Sequence, residues 1–427
     1  MAKTTPTFCA VPLFDAHIRF SRLPPGRAML AEYPDTAAYI KETAKNIDQC
    51  PQDFDYAAAF LRSYSRKSEA TFRGYRNEVE RLLLWCWSLA GKSVVELKRP
   101  DLERFFDFVH SPPANWVATA VADRFLPVNG EYLHNPAWRP FVFKISKADR
   151  RTLIERGETT SKQTQHTLSH EAMKLCYSAL SAFYDYLVDE GYAFGNPIPA
   201  IRKQSPYLLK GATRKNIKRL SDLQWEYVLN CAERSADGSH ESERALFVVA
   251  LLKSLYLRVS ELSDRSNWSP VWRHFWRDSE GNQWLQVLGK GNKIRDVSVP
   301  GALLPYIERY RAMRRGNEIS FNDGSVLVAK TRGSGGLTSR QLRRIVQQVF
   351  DTAYQTMCDE GFGSSAEELR EASTHWLRHT GASIDIATRP LKHMADDLGH
   401  ASMGTTDQVY IQSDMKERAQ SGKKREV

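Results

Sequence analysis

Apolar residues recur at three- and four-residue spacings in several long stretches, and those stretches predict the helices. After Ser68, a residue type that caps helix N-termini, Phe72, Tyr75, Val79, Leu82, Leu83 and Cys86 follow at helical spacing before Gly91. A second helix opens at Pro100 and runs through Leu102, Phe105, Phe106 and Val109 to Ser111-Pro112-Pro113. A third follows Met173, Cys176, Leu180, Phe183, Tyr184 and Leu187 and stops at Gly191, with Asn196-Pro197 beyond it. Upstream, residues 1–55 carry scattered prolines and mixed charge without a period, and read as an N-terminal extension. Between about 112 and 167 Asn, Pro and Gly turns break the pattern. That insertion includes the run from Trp138 to Lys144, which reads as a loop or short strand.

Residues 201–220 replace apolar pattern with charge: Arg202, Lys203, Lys210, Arg214, Lys215, Lys218 and Arg219, with Pro206 and Gly211 among them. This is the composition of an exposed linker, and equally of a strand that lies along phosphates, where each cation releases condensed counterions. The second half begins near Ser221. A long helix is expected from about Glu241, with Leu246, Val249, Leu252, Leu255 and Leu262 on its buried side. Then Trp284-Leu-Gln-Val-Leu, Gly289-Lys-Gly-Asn and Ile294-Arg-Asp-Val-Ser-Val read as a β-hairpin with Lys290 in its turn, Leu285 and Val287 sharing a face with Val297 and Val299. Further helices are expected over 303–313, 339–357, 375–387 and 391–398. The fold class is therefore mostly α with a small β-hairpin or sheet (α+β). The expected organisation is an extension (1–55), a helical domain (56–200, with the 112–167 insertion), a basic linker (201–220) and a second domain (221–427).

With 427 residues the chain exceeds one ordinary core, consistent with two or more domains. Sixty lysines and arginines against 50 acidic residues give a formal charge of +10, which suits a polyanionic partner, nucleic acid first. The six cysteines contain no CxxC pair, so neither a zinc module nor a secreted disulfide framework is suggested, and a reducing cytoplasm fits. No apolar segment approaches membrane-spanning length.

Four short signals stand in the second half: Leu257-Arg258-Val-Ser-Glu261, Gly289-Lys290-Gly-Asn-Lys293, His375-Trp-Leu-Arg378-His379, and Leu398-Gly399-His400 followed by Val409-Tyr410. Taken singly each has an ordinary explanation. Arg258 suits a helix surface paired with Glu261, Lys290 a solvated turn, and Tyr410 a half-buried packing position. His375 and His379, one turn apart, have the spacing of a metal pair, but the glutamate of a HExxH motif is missing and no metal site is expected.

Taken together, arginine, lysine, histidine-x-x-arginine, histidine and tyrosine stand in the order of the tyrosine recombinase (phage integrase) family. The stretch from about 221 to 410 resembles that family's catalytic domain through LGKGNKIR, HWLRH and LGH. The helices of 71–109 and 173–187 resemble its core-binding domain in pattern only. In two respects the chain departs: Tyr256 stands where the family often has glycine before the Leu-Arg pair, and the interval from His400 to Tyr410 is slightly longer than in many members.

The chemistry of a phosphodiester accounts for this inventory. Charge grows on its equatorial oxygens as a fifth oxygen approaches, and Arg258 and Arg378 offer planar, permanently charged donors to meet it. A tyrosine hydroxyl, with an ordinary pKa of about 10, needs a base and positive surroundings to attack near neutrality. His375 is the candidate for assisting Tyr410. The resemblance implies the same and adds His400 as a second hydrogen-bonding group on the phosphate. Lys290 is the candidate acid for the leaving 5′ oxygen, as the corresponding family lysine is understood to be, with Lys293 as its rival. Glu261 orients Arg258, and His379 supports the group.

The expected activity is site-specific DNA cleavage and rejoining through a 3′-phosphotyrosine, without metal or cofactor. The implied partners are double-stranded DNA with specific recombination sites, further copies of the chain (a tetramer on synapsed DNA, a monomer being the alternative in solution), and accessory proteins or a partner recombinase. Two other readings compete: a type IB topoisomerase-like relaxing enzyme, and a catalytically silent DNA-binding accessory protein.

Overall fold

The computed structural model describes residues 10–143, 147–157, 166–208, 218–315 and 323–400. The chain divides into two compact units, Met1–Thr213 and Arg214–Val427.

In the first unit the helices are α1 (His17–Phe20), α2 (Pro34–Thr43), α3 (Cys50–Tyr64), α4 (Glu69–Trp85), α5 (Arg99–His110), α6 (Lys147–Glu155), α7 (His170–Asp189) and α8 (Ile198–Gln204). The Ser68 hydroxyl caps α4 by accepting from the Thr71 N–H, as its residue type predicts. The apolar stripes of α4, α5 and α7 meet in one core with Phe72, Leu82, Leu83, Phe105, Phe106, Leu180 and Phe183 fully buried.

Residues 10–55 correct the extension read from the sequence. Phe14, Phe20, Met29, Ile40, Cys50 and Phe54 are buried in that same core. Pro34 and Pro51, which broke the apparent period, sit in the first turn of α2 and α3, where a missing N–H costs nothing. A second correction concerns the linker, because Arg202 and Lys203 lie exposed on α8, whose Ile198 and Ile201 are buried in the first unit's core. Lys210, Arg214 and Lys215 lie outside the described residues.

The insertion forms two small sheets. Strand β1 (Val117–Ala118) pairs in parallel with β4 (Phe141–Val142), and β2 (Phe125–Val128) forms an antiparallel hairpin with β3 (Glu131–His134). At the hairpin tip Asn129 and Gly130 both take positive φ, the geometry an Asn-Gly pair favours. The Asp35 carboxylate accepts from the His134 backbone N–H at 2.9 Å, tying the hairpin to α2.

The second unit contains α9 (Asp222–Ser235), α10 (His240–Ser254), α11 (Leu304–Arg315), α12 (Ser339–Asp359), α13 (Gly363–Ala366), α14 (Thr374–Asp385) and α15 (Leu391–Leu398). Its antiparallel sheet orders β5 (Phe275–Arg277), β6 (Gln283–Leu288) and β7 (Ile294–Ser298). Leu285 opposes Val297, and both are buried with Val287, as the alternation predicts. Helix α10 ends at Ser254, short of Leu262, because Tyr256 takes φ +49 and turns the chain out of the helix. Helix α14 then crosses α10 so closely that a Cβ on Gly381 would lie 2.1 Å from the Lys253 carbonyl oxygen, and only glycine permits that approach.

Candidate active site

Glu261 anchors the site. Its residue is 2% exposed, and both carboxylate oxygens are engaged. One accepts from the Arg258 Nη1 at 2.9 Å and the Arg295 Nη1 at 2.8 Å; the other accepts from the Arg258 backbone N–H at 2.8 Å and the Arg295 Nη2 at 2.9 Å. Burial pushes this carboxyl up, yet the hydrogen bonds and charge of Arg295, the Arg258 N–H and the nearby Arg378 hold it below the ordinary glutamate value. Glu261 is therefore an anion that aims Arg258 and Arg295. Arg258 itself sits in a turn rather than on a helix surface.

Arg378 is held from two other elements. Its Nη1 donates to the Tyr256 carbonyl after α10, and its Nη2 donates to the Leu398 carbonyl at the end of α15, at 2.6 Å. The His400 Nε2 lies 3.4 Å from Arg378 Nη2. A guanidinium only donates, so this nitrogen accepts and the His400 proton resides on Nδ1. Gly399, at φ +62, ends α15 and delivers His400; a Cβ there would press on the Arg295 side chain at 3.1 Å.

His375 and His379 project from the same helix as Arg378, with ring centroids 6.5 Å apart. Partial burial, then the charges of Arg378, Arg258 and Arg343, lower the His375 pKa. His379 is pushed down to about 4 by burial, His375 and Arg378, and His400 to about 4 by burial and then Arg378, Arg258, Arg295 and His379. All three imidazoles are neutral at pH 7 and able to accept a proton or share one. Thus Arg258, Glu261, His375, Arg378, His379 and His400, read from separate segments of sequence, come together. The cluster carries three guanidiniums against one carboxylate, a surplus of positive charge that suits an anionic centre.

Lys290 stands exposed in the turn between β6 and β7, with Lys293 exposed three residues on. The root of that turn rests on the cluster: a Cβ on Gly289 would lie 2.8 Å from Arg295 Nη1 and 3.6 Å from Glu261 Oε1. Lys218 pairs with Glu371 at 3.0 Å, Arg219 is exposed, and Tyr410 lies outside the described residues. No group of His, Cys, Asp and Glu fit to hold a metal occurs among the described residues, nor is any helix there long and apolar enough to cross a membrane.

Arg295 is the central residue that motif reading missed. The signal was present, since strand alternation puts it on the inward face with Val297, opposite the buried Val287. An arginine on the inward face of a strand needs a buried partner.

No family model matches the chain. Among curated proteins it is similar to the tyrosine recombinase XerS of Streptococcus mutans, 24% identical over 290 residues that cover 62% of this chain and 75% of the relative. It is likewise similar to the tyrosine recombinase XerC of Neisseria gonorrhoeae, 25% identical over 254 residues, or 59% and 71% of the two chains. A crystal structure of the XerH site-specific recombinase bound to palindromic difH substrate aligns over 86% of this chain and 94% of that one, with TM-score 0.48 and 17% identity. The chain is thus similar, over about three fifths of its length, to several curated tyrosine recombinases.

Proposed function

We propose that the protein is a site-specific DNA recombinase in which Tyr410 attacks a backbone phosphorus and holds the 3′ end as a phosphotyrosine. What supports this most is the convergence of Arg258, Arg378, His375 and His400 from a turn, a helix and a helix terminus onto one cluster with surplus positive charge. In this reading Arg258 and Arg378 receive the charge that builds on the non-bridging oxygens, their orientation fixed by Glu261 and by two carbonyls. Neutral His375 takes the Tyr410 proton, and His400, whose Nδ1 carries its proton, donates to a phosphate oxygen.

Lys290 protonates the departing 5′ oxygen, with Lys293 contacting the backbone beside it. The phosphotyrosine conserves the energy of the broken strand, so a 5′ hydroxyl from a partner duplex restores the phosphodiester and releases the phenol. The basic residues Arg202, Lys203, Lys210, Arg214, Lys215, Lys218 and Arg219 track phosphates. Four copies act on two synapsed sites, and a DNA substrate places the protein with the cell's DNA.

The test is a nicked suicide duplex carrying the site that the protein selects from randomised DNA. Wild type is expected to accumulate a covalent protein–DNA adduct, and Tyr410→Phe none. An adduct formed by Tyr410→Phe refutes the assignment of the nucleophile.

A further inference from the structure

Tyr256 occupies a backbone conformation that favours glycine. Its φ is +49, and no glycine relieves the crowding between its Cβ and the backbone. A side chain in that position needs compensation, and Tyr256 has it. The residue is 1% exposed and packs in a small cluster with Ala382 of α14 and Met394 and Leu398 of α15. Its phenol donates to the Asp385 carboxylate at the end of α14 and accepts from Arg389 Nη1 at 3.1 Å. Arg389 Nη2 continues to Asp397 Oδ2 at 2.7 Å and Ser298 Oγ at 3.0 Å, while Ser298 Oγ donates to the same Asp397 oxygen at 2.7 Å. One chain of hydrogen bonds thus joins the turn after α10 to α14, α15 and β7.

Three of the elements joined in this way hold Arg378. Helix α14 carries the guanidinium, the turn supplies one carbonyl partner through Tyr256 itself, and the end of α15 supplies the other through Leu398. The left-handed conformation turns the Tyr256 carbonyl toward Arg378, and the phenol ties that turn to both helices.

Resting on the strand-transfer reading above, we propose that Tyr256 is a positioning residue for Arg378. Its carbonyl sets one edge of the guanidinium, and its phenol, through Asp385, Arg389 and Asp397, holds α15 at the distance that lets Leu398 set the other. A glycine at 256 would satisfy the backbone and leave this linkage unmade.

Single-turnover cleavage of the selected nicked duplex tests the proposal, by following the adduct formation rate as a function of DNA concentration. Tyr256→Phe keeps the ring and removes the linkage. It is expected to lower the rate at saturating DNA by about tenfold, with the half-saturating concentration unchanged. In an Arg378→Lys background the same substitution should cost less than about twofold, since the group it positions is already altered. Arg389→Lys, more exposed, is expected to show the same non-additivity and keeps the test decisive should Tyr256→Phe fold poorly. A wild-type rate in Tyr256→Phe, or an equal loss in both backgrounds, overturns the proposal. Absence of an adduct from wild type refutes the recombinase reading itself, and this inference with it.

Discussion

Each unit of the chain buries a carboxylate among several donors, and the two carboxylates differ in what surrounds them. Asp53, 0% exposed in the first unit, accepts from the Trp87 Nε1 at 3.0 Å, the Ser93 hydroxyl at 2.7 Å, the Val94 N–H at 3.2 Å and the Tyr192 hydroxyl at 2.8 Å. All four donors are neutral. Burial pushes the Asp53 pKa up, and these bonds offset it only in part. Glu261 is nearly as buried, but its donors are two guanidiniums and an N–H, and its pKa is lowered. With neutral donors the carboxylate serves to join α3 to the segments that follow α4 and α7. Cationic donors make it a bracket that fixes the direction of charges whose purpose lies elsewhere.

The largest effects should come from the cations that Glu261 and the carbonyls direct. Arg258→Ala and Arg378→Ala are each expected to slow adduct formation by roughly a hundred- to a thousandfold, as loss of a single oxyanion donor does, measured by single-turnover cleavage. Next come the carboxylates themselves. Glu261→Gln leaves two guanidiniums side by side without their anion and is expected to cost about 3 kcal/mol or more of stability, together with about a tenfold loss of cleavage rate in the folded fraction. Asp53→Asn should cost about 1–3 kcal/mol by leaving buried donors unpaired, with the cleavage rate per folded molecule unchanged. Chemical denaturation and active-site titration on the two variants separate these outcomes, and a cleavage defect in Asp53→Asn would erase the distinction.

A separate effect is on the pH dependence of stability. His379 and His400 stay neutral down to about 4, whereas a free histidine protonates near 6.5. The unfolded chain therefore binds more protons between those values, and stability falls as pH falls through that window. Glu261, held low, adds the same sign: its contribution is present above the ordinary glutamate value and is lost as pH falls through its folded value. Asp53, held high, opposes it. Calorimetry should show a melting temperature that drops from pH 7 toward pH 4, and a shallower drop in His379→Asn.

Much of the second unit was legible because its elements obey local rules. The spans expected for α12, α14 and α15 lie within a few residues of those found, and the hairpin register follows from two alternating strands around a Gly-Lys-Gly-Asn turn. Helix α9 went unread although Ser221 and Gln224 spell a capping box at its start. The first unit hid α2 and α3 because proline in a first helical turn looks, in sequence, like a break. The candidate site groups were legible as an ordered set, whereas Arg295, Arg389 and Asp397 were not. Their partners lie 34, 133 and 99 residues away in Glu261, Tyr256 and Ser298, and no local pattern announces such pairs. Tyr256 was legible only as an oddity at a glycine position, and its φ gives the reason glycine suits that place.

The central claim is that Arg258 and Arg378 act on the negative charge of one scissile phosphate. Its most direct test replaces that phosphate with a methylphosphonate, which removes the charge and keeps the phosphorus. On this duplex the penalties of Arg258→Ala and Arg378→Ala, each measured against wild type on the same substrate, should shrink to about tenfold or less from the hundredfold or more expected on phosphate. Equal penalties on the charged and uncharged substrates would contradict the account.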